Sequence, residues 1–171
     1  MGKQNPIKLS IPTYGFNELI YDSQHEAATS LSLGNAVKYL GGSTKITTIA
    51  IAGLLVKRPP NPNYRSISCI DRYGKVFRTI PDFELVTHSN IFIEAKGNLD
   101  RRSRRNIDGL LSHGYQIGIV FVSEAAAKQK LWSGADITKA EWLRNRNIPY
   151  VTAANQAHKL INILINNKET I

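Results

Sequence analysis

The segments IPDFEL at residues 80–85 and IFIEAKG at residues 91–97 decide the fold of this chain. Both are rich in the β-branched and aromatic residues that favour strands, and a short polar break at residues 88–90 separates them. The sequence therefore predicts two neighbouring strands of a hairpin over about residues 80–96. The second strand carries charged side chains inside an apolar run, which is costly unless they are paired or bind a metal.

Three charged residues of this hairpin are predicted to meet at one end of it. Side chains alternate along a strand, so Glu94 and Lys96 share a face, and Asp82 lies about opposite on the partner strand. Two carboxylates suit a hard divalent cation such as Mg²⁺, and a nearby lysine adds positive charge beside a nucleophile or a phosphate. Phosphodiester hydrolysis needs this combination, because the cation activates water and stabilises charge on the phosphate. The alternative is an exposed ion pair, which is common for an E-x-K triplet.

Length and charge narrow the classes of function. The 171 residues suit a single domain over residues 1–171, with an extended arm at 1–13 and a C-terminal helix and tail at 153–171. The net charge of +9 predicts a polyanionic partner. No apolar run reaches the length of a membrane span and no signal-peptide core is present, so nucleic acid is expected rather than a membrane. The single Cys69 fits a reducing cytoplasm.

The remaining pattern predicts an α/β architecture, a central mixed β-sheet flanked by helices. Strands are predicted at 45–56, 66–70, 75–79, 116–122 and 148–151, and helices at about 23–40, 100–113, 138–143 and 153–167. Residues 71–74 predict a turn, and residues 138–141 form a capping box. The last helix carries a broad apolar stripe from Ala157 to Ile165, which is typical of burial in the core or against another subunit.

The hairpin motif resembles that of the PD-(D/E)xK nuclease superfamily, which has a restriction-endonuclease-like fold. PDF at 81–83 and EAKG at 94–97 match its metal motif, and a resemblance to phage endonuclease I proteins, which resolve Holliday junctions, covers about residues 75–152. The resemblance implies a restriction-endonuclease-like core and cleavage of DNA with Mg²⁺, for which Mn²⁺ would substitute. It implies that Asp82, Glu94 and the main-chain carbonyl of Ala95 are metal ligands and that Lys96 is the catalytic lysine. If a phage encodes the protein, the cytoplasm in question is that of the host cell.

The resemblance also implies a catalytic glutamate on the first helix, for which the sequence offers two candidates. Glu26 lies on the extension of the apolar stripe of that helix, facing the sheet, and Glu18 precedes the helix. Residues 23–26 also form a capping box, in which Glu26 would only close the helix end. Glu84 shares a strand face with Asp82 and is either a supporting acid or a solvated side chain.

A basic helix follows the second strand of the hairpin. Its arginines suit phosphate oxygens, although a charge run of this kind also fits a solvated helix face. The candidate DNA-binding residues are Arg101, Arg102, Arg104 and Arg105, with Lys128 and Lys130 as a second candidate patch. Trp132 and Trp142 are expected in the core or in an interface rather than as stacking platforms for bases.

Together these features predict a Mg²⁺-dependent DNA endonuclease, and the resemblance implies branched DNA such as a Holliday junction as its substrate. A homodimer is expected, because two cuts in one branched molecule need two sites. The strand at 45–56 and the stripe from Ala157 to Ile165 offer material for the interface. The alternatives are a transposon-end, restriction-type or nicking endonuclease on the same fold, and a basic DNA-binding protein without cleavage.

Overall fold

The structure, a computed structural model, describes residues 7–9, 19–21, 23–26, 28–30, 32–33, 66–85 and 88–166. Within these ranges the strands are β1 (Ile7–Leu9), β2 (Leu19–Tyr21), β3 (Ile67–Ile70), β4 (Val76–Thr79), β5 (Phe83–Leu85), β6 (His88–Lys96), β7 (Gln116–Phe121) and β8 (Tyr150–Val151). The helices are α1 (Arg101–Ser112), α2 (Glu124–Lys128), α3 (Lys139–Arg144) and α4 (Ala157–Asn166). Residues 24–26, 28–30 and 32–33 are also helical and are called the N-terminal helical residues.

The strands β5, β6, β7 and β8 form a four-stranded sheet in that order. β5 runs antiparallel to β6, whereas β6, β7 and β8 are parallel to one another. The register pairs Lys96, the last residue of β6, with Phe121, the last residue of β7. The mixed sheet flanked by helices is thus confirmed, and the ends of two parallel strands meet at one edge of it.

The predicted polar break at residues 88–90 is wrong, because β6 already begins at His88. Leu85 of β5 lies opposite His88, so main-chain pairing includes the polar residues. Main-chain hydrogen bonds define a strand whatever the polarity of its side chains, and a polar tripeptide can therefore continue it. β5 begins only at Phe83, after Pro81, which has no N–H to donate to a ladder.

Both faces of the central sheet are buried. On one face Ile91 and Ile93 of β6 belong to the same apolar cluster as Leu160 and Leu164 of α4. At Gly118 of β7 an added Cβ would lie 3.0 Å from Leu164 and 3.1 Å from Leu160, so glycine lets α4 lie directly on the sheet. Burial on both faces explains the nearly uninterrupted apolar sequence of β7, which the sequence predicted correctly as a buried strand.

The opposite face of the sheet packs against α1 and the β3–β4 hairpin. Phe92 of β6 lies in one apolar cluster with Ile107 of α1 and with Cys69 of β3, a buried free thiol. β3 and β4 are antiparallel, as predicted. Their turn is also as predicted: Gly74 donates its N–H to the carbonyl of Asp71 at 2.9 Å, and its positive φ of 77° suits glycine.

The helices begin where the local sequence provides caps. Asp100 accepts the N–H of Ser103 at 2.7 Å at the start of α1, and Thr138 with Glu141 forms the predicted capping box of α3. α2 was not predicted, because its five residues are too few to show an apolar period. Its signal was the N-cap Ser123, whose hydroxyl accepts a main-chain hydrogen bond at 3.1 Å.

Most of the apolar stripe of α4 is buried within the chain. Its buried residues are Ala157, Leu160, Ile161 and Leu164, whereas Ile163 is exposed. Residues 154–156, which were predicted as part of this helix, form a short 3₁₀ helix instead. The prediction of core burial is confirmed for the four buried residues, and the use of the stripe in a dimer interface stays a prediction.

Several predictions concern residues outside the described ranges. These are the strand at 45–56, the end of the first helix near residue 40, most of the arm at 1–13, and Glu18. Of the helices that the structure describes, none combines the length and the apolar character needed to cross a bilayer.

Candidate active site

Asp82 and Glu94 are carboxylates buried where β5 and β6 meet, with exposed fractions of 3% and 5%. The register pairs Phe83 with Ile93, so Asp82, the residue before β5, comes opposite Glu94. The N–H of Ala95 donates to Asp82 Oδ2 at 2.9 Å, which fixes this carboxylate against β6. The two acids therefore lie opposite each other, as predicted from the alternation of the strands.

Lys96 is the third member of the cluster. Its Nζ lies 2.5 Å from Glu94 Oε2 and 3.7 Å from Asp82 Oδ2. Glu94 and Lys96 are two residues apart on β6 and share a face, as the period of a strand requires. Because both carboxylates are buried, an exposed surface ion pair does not describe this site. Asp82, Glu94 and Lys96 are called the acid–lysine cluster below.

The electrostatics of the cluster keep Lys96 charged. Burial by itself disfavours the ammonium form. The negative charges of Asp82, Glu94 and Glu26, together with the hydrogen bond to Glu94, outweigh burial and raise the pKa of Lys96 well above its ordinary value. Lys96 is therefore a fixed positive charge at neutral pH rather than a proton acceptor. Three carboxylate groups against one ammonium leave this region with surplus negative charge.

The N-terminal helical residues bring Glu26 to the same region. His25 Nε2 lies 2.8 Å from the carbonyl oxygen of Val120 in β7, which anchors this segment beside the sheet. The N–H of Glu26 donates to Ser23 Oγ at 3.2 Å, as at a helix N-cap. Its charge is close enough to contribute to the raised pKa of Lys96. The N–H of Glu26 thus takes part in the helix cap and its negative charge acts on Lys96, while its catalytic role stays a prediction.

Glu84 and the carbonyl of Ala95 extend the set of oxygen atoms around the cluster. Glu84 is buried and lies opposite Phe92, so the solvated alternative is wrong. The N–H and C=O of one residue in an extended strand point to the same side. Since the N–H of Ala95 donates to Asp82, the carbonyl of Ala95 also faces the side of β6 where Asp82 lies.

The donor set fits a magnesium-type cation. Across the described residues no group of three or more His, Cys, Asp or Glu side chains is arranged to hold a metal ion. Mg²⁺ does not need such a group, because it keeps several water ligands and is held by one or two carboxylates with substrate phosphates. Asp82, Glu94 and the Ala95 carbonyl provide hard oxygen donors, and the surplus negative charge favours a cation beside them.

The start of α1 lies beside the acid–lysine cluster. The pKa of Asp100, the N-cap residue, is lowered mainly by the hydrogen bond from the Ser103 N–H, and the positive charge of Lys96 also lowers it. Arg101 and Arg102, the first two residues of α1, are exposed there. Asp100 was not among the predicted site residues, although the spacing of Asp100 and Ser103 is a recognisable N-cap signal.

Arg104 is held by the protein itself. Its Nη1 donates to the carbonyl of Leu99 at 2.8 Å and to that of Leu131 at 3.4 Å, and its guanidinium lies 5.2 Å from the centre of the Trp132 ring. Trp142 is buried as expected, whereas Trp132 is 55% exposed, which excludes the core and leaves the predicted interface for it. The Ser-Gly that follows Trp132 is the sequence signal for this exposed loop position.

The other predicted DNA-binding residues are spread over the surface. Arg105 is exposed, with its guanidinium 4.4 Å from the centre of the Phe77 ring. Lys128 of α2 pairs with Glu124 at 2.6 Å, and Lys130 Nζ lies 3.4 Å from the carbonyl of Asp136. The structure thus brings Arg101 and Arg102 beside the cluster and places Lys128 and Lys130 on α2 and the loop after it.

Comparisons with known proteins do not assign the chain to a family. No protein-family model matches it, and no curated protein matches it in sequence. The geometry of the acid–lysine cluster and the resemblance of its motif are therefore the basis for a functional proposal.

Proposed function

We propose that the protein is a metal-dependent DNA endonuclease with a restriction-endonuclease-like core. The observation that carries this proposal is the convergence of Asp82, Glu94 and Lys96 at the edge where β6 and β7 end. Burying two carboxylates beside one ammonium is energetically costly, because one negative charge is left without a positive partner. A bound cation would supply that partner. The antiparallel β5–β6 pair followed by the parallel strand β7 also supports this core.

In the proposed reaction the residues of the cluster would have two roles, cation binding and contact with the phosphate. Asp82, Glu94 and the carbonyl of Ala95 would hold Mg²⁺, which would supply an activated water and stabilise charge on the phosphate. The ammonium of Lys96, held by Glu94, would donate to a phosphate oxygen and offset the charge that develops there. In this proposal Lys96 acts through its positive charge, which the neighbouring carboxylates favour.

The proposed substrate is branched DNA, and the proposed active species is a homodimer. The net charge of +9 and the exposed Arg101 and Arg102 beside the cluster favour a phosphate backbone as ligand. Contacts with phosphates fix position without reading sequence. A protein of this kind would select DNA by shape and show little preference among bases.

A cleavage panel tests the proposal. Purified protein with Mg²⁺ is given a four-way junction, a Y-fork, a flap and a plain duplex, each with a matched sample in EDTA. We expect cleavage of the branched substrates with Mg²⁺ and none in EDTA. The substitutions Asp82→Asn, Glu94→Gln and Lys96→Met should each slow cleavage by about a hundredfold or more, since each removes a group that would act on the transition state.

Binding separates catalysis from folding in the same panel. Each variant should still bind a junction in EDTA, because the exposed arginines are unchanged. Lys128→Met is a matched control, since it removes a lysine from an ion pair away from the cluster, and it should cleave like the wild type. Cleavage at the wild-type rate by any of the three cluster variants would refute the assignment.

A further inference from the structure

The loop that joins α2 to α3 carries an exposed tryptophan, and main-chain hydrogen bonds hold the loop in place. The loop is closed by hydrogen bonds from the N–H of Leu131 to the carbonyl of Ile137 at 3.0 Å and from the N–H of Lys139 to the carbonyl of Gln129 at 2.9 Å. Leu131 is buried beneath it. The next side chain, Trp132, is more than half exposed. Tryptophan is enriched at binding interfaces, so a tryptophan held in solvent by a well-bonded loop is a candidate contact for a ligand.

Arg104 connects this tryptophan to the region of the acid–lysine cluster. Its guanidinium lies 5.2 Å from the centre of the Trp132 ring, and its Nη1 donates to the carbonyl of Leu99, three residues beyond Lys96. The N–H of Arg104 donates to the carbonyl of Asp100, the helix cap beside Lys96, at 3.0 Å. Trp132 therefore stands on the side of the molecule where β6 ends and α1 begins.

We propose that Trp132, backed by Arg104, is a stacking position for an unpaired base of the DNA substrate. Every nucleobase has a flat π face, and stacking on an exposed aromatic side chain is the usual way in which proteins hold unpaired bases. Bases within a duplex are already stacked on their neighbours, whereas a branch point or a single strand offers unstacked ones. This inference rests on the proposed function and deepens it, because it names a residue by which the chain would prefer branched or single-stranded DNA.

Charge favours DNA as the occupant of this position. The chain carries a net charge of +9, and Arg101 and Arg102 are exposed on the first turn of α1, the same helix that carries Arg104. A base on Trp132 would thus have its phosphates near guanidinium groups, which suit phosphate oxygens. In a twofold contact through Trp132, by contrast, the exposed Arg101 and Arg102 of the two copies would approach each other.

A binding experiment without cleavage tests the proposal. Affinities of the wild type, Trp132→Ala and Trp132→Phe are measured in EDTA for oligothymidine, a Y-fork and a blunt duplex. We expect Trp132→Ala to weaken binding of oligothymidine and the fork by about fivefold to about a hundredfold, the range found for loss of one stacked base. Duplex binding should change much less, and Trp132→Phe should retain most of the affinity because its ring can still stack.

Tyr73→Ala is the matched control. Tyr73 is an exposed aromatic residue with a guanidinium, that of Arg72, 4.8 Å from its ring centre, but it lies in the turn between β3 and β4. Its loss should leave the ratio of fork to duplex affinity unchanged. Intrinsic fluorescence adds a direct readout, since Trp132 is exposed and Trp142 is buried. Oligothymidine should quench the wild type and should not quench Trp132→Phe.

The outcomes distinguish this inference from the proposed function. If the wild type binds the fork and cleaves it, and Trp132→Ala binds it equally well, the stacking position is refuted and the nuclease proposal stands. If the wild type binds none of the DNA species, both are refuted. Light scattering should give Trp132→Ala the same mass as the wild type. A change of oligomeric state would show that Trp132 contacts a second copy and would also overturn the inference.

Discussion

At the scale of single residues, two ion pairs of nearly equal length differ in burial. Lys96 Nζ lies 2.5 Å from Glu94 with side chains 16% and 7% exposed, whereas Lys128 Nζ lies 2.6 Å from Glu124 with side chains 72% and 67% exposed. Water screens the second pair, and exposed pairs contribute little to stability. The first pair cannot lose one partner without leaving a charge in the interior.

This difference in burial predicts losses of stability of different size for the same lysine-to-methionine substitution. Lys96→Met should lower the free energy of unfolding by about 3 kcal/mol or more, because the Asp82 and Glu94 carboxylates stay buried without the ammonium. Lys128→Met should lower it by about 0.5 kcal/mol at most. Urea unfolding at neutral pH, followed by circular dichroism, measures both. The double variant Lys96→Met with Glu94→Gln should lose less than the sum of the single losses, since it removes one of the unpaired charges. Equal small losses for both lysines would contradict the burial of the cluster.

At the scale of elements, α1 and the β3–β4 hairpin approach each other at a glycine. A Cβ added to Gly109 would lie 2.5 Å from Cζ of Phe77 and 3.0 Å from Cβ of Cys69. Glycine within a helix normally costs about 1 kcal/mol relative to alanine. Its presence in α1 therefore reflects the close contact with the hairpin and not the preference of the helix.

The contact predicts that alanine at position 109 destabilises the protein. Gly109→Ala gains helix propensity, but the added methyl overpacks the contact with Phe77, at a cost of about 1–3 kcal/mol. The two effects together give an expected net loss of up to about 2 kcal/mol in urea unfolding. Gly109→Ala combined with Phe77→Leu should lose less than the two single losses added together, because the shorter side chain makes room for the methyl. A more stable Gly109→Ala variant would mean that α1 and the hairpin are further apart than described.

At the scale of the whole molecule, the proposed cutting of branched DNA requires two active sites. One chain carries one acid–lysine cluster within its described residues, and closed twofold dimers are the commonest oligomers. Most of the apolar stripe of α4 is already buried within the chain. The exposed Ile163 is the part of the stripe that a dimer interface could still use.

The dimer is tested by light scattering of the purified protein. We expect a mass about twice the 19.1 kDa of one chain, and the same mass for the Glu94→Gln variant, whose substitution lies in the buried cluster. The dimer should cut a four-way junction faster than a duplex at moderate salt. A monomeric mass together with equal cutting rates on both substrates would favour a general nicking enzyme.

The sequence alone determined the features that depend on neighbours along the chain. The strand pattern placed Glu94 and Lys96 on one face, and the caps at Asp100 and Thr138 fixed the starts of α1 and α3. These features follow from the period of side chains and from hydrogen bonds that reach three residues. Even there the polarity of residues 88–90 misled, because main-chain pairing and not side-chain character sets where β6 begins.

Only the tertiary structure decided what meets across the chain and what is buried. The contact of His25 with Val120 spans 95 positions and brings Glu26 to the cluster, and local pattern carries no information about such a contact. The packing buries Glu84 and leaves Trp132 more than half exposed, whereas the sequence left open whether Glu84 is solvated and whether Trp132 lies in the core or in an interface. The reason is physical: burial and charge interactions depend on how all elements pack together, whereas strand period and caps depend on a few adjacent residues.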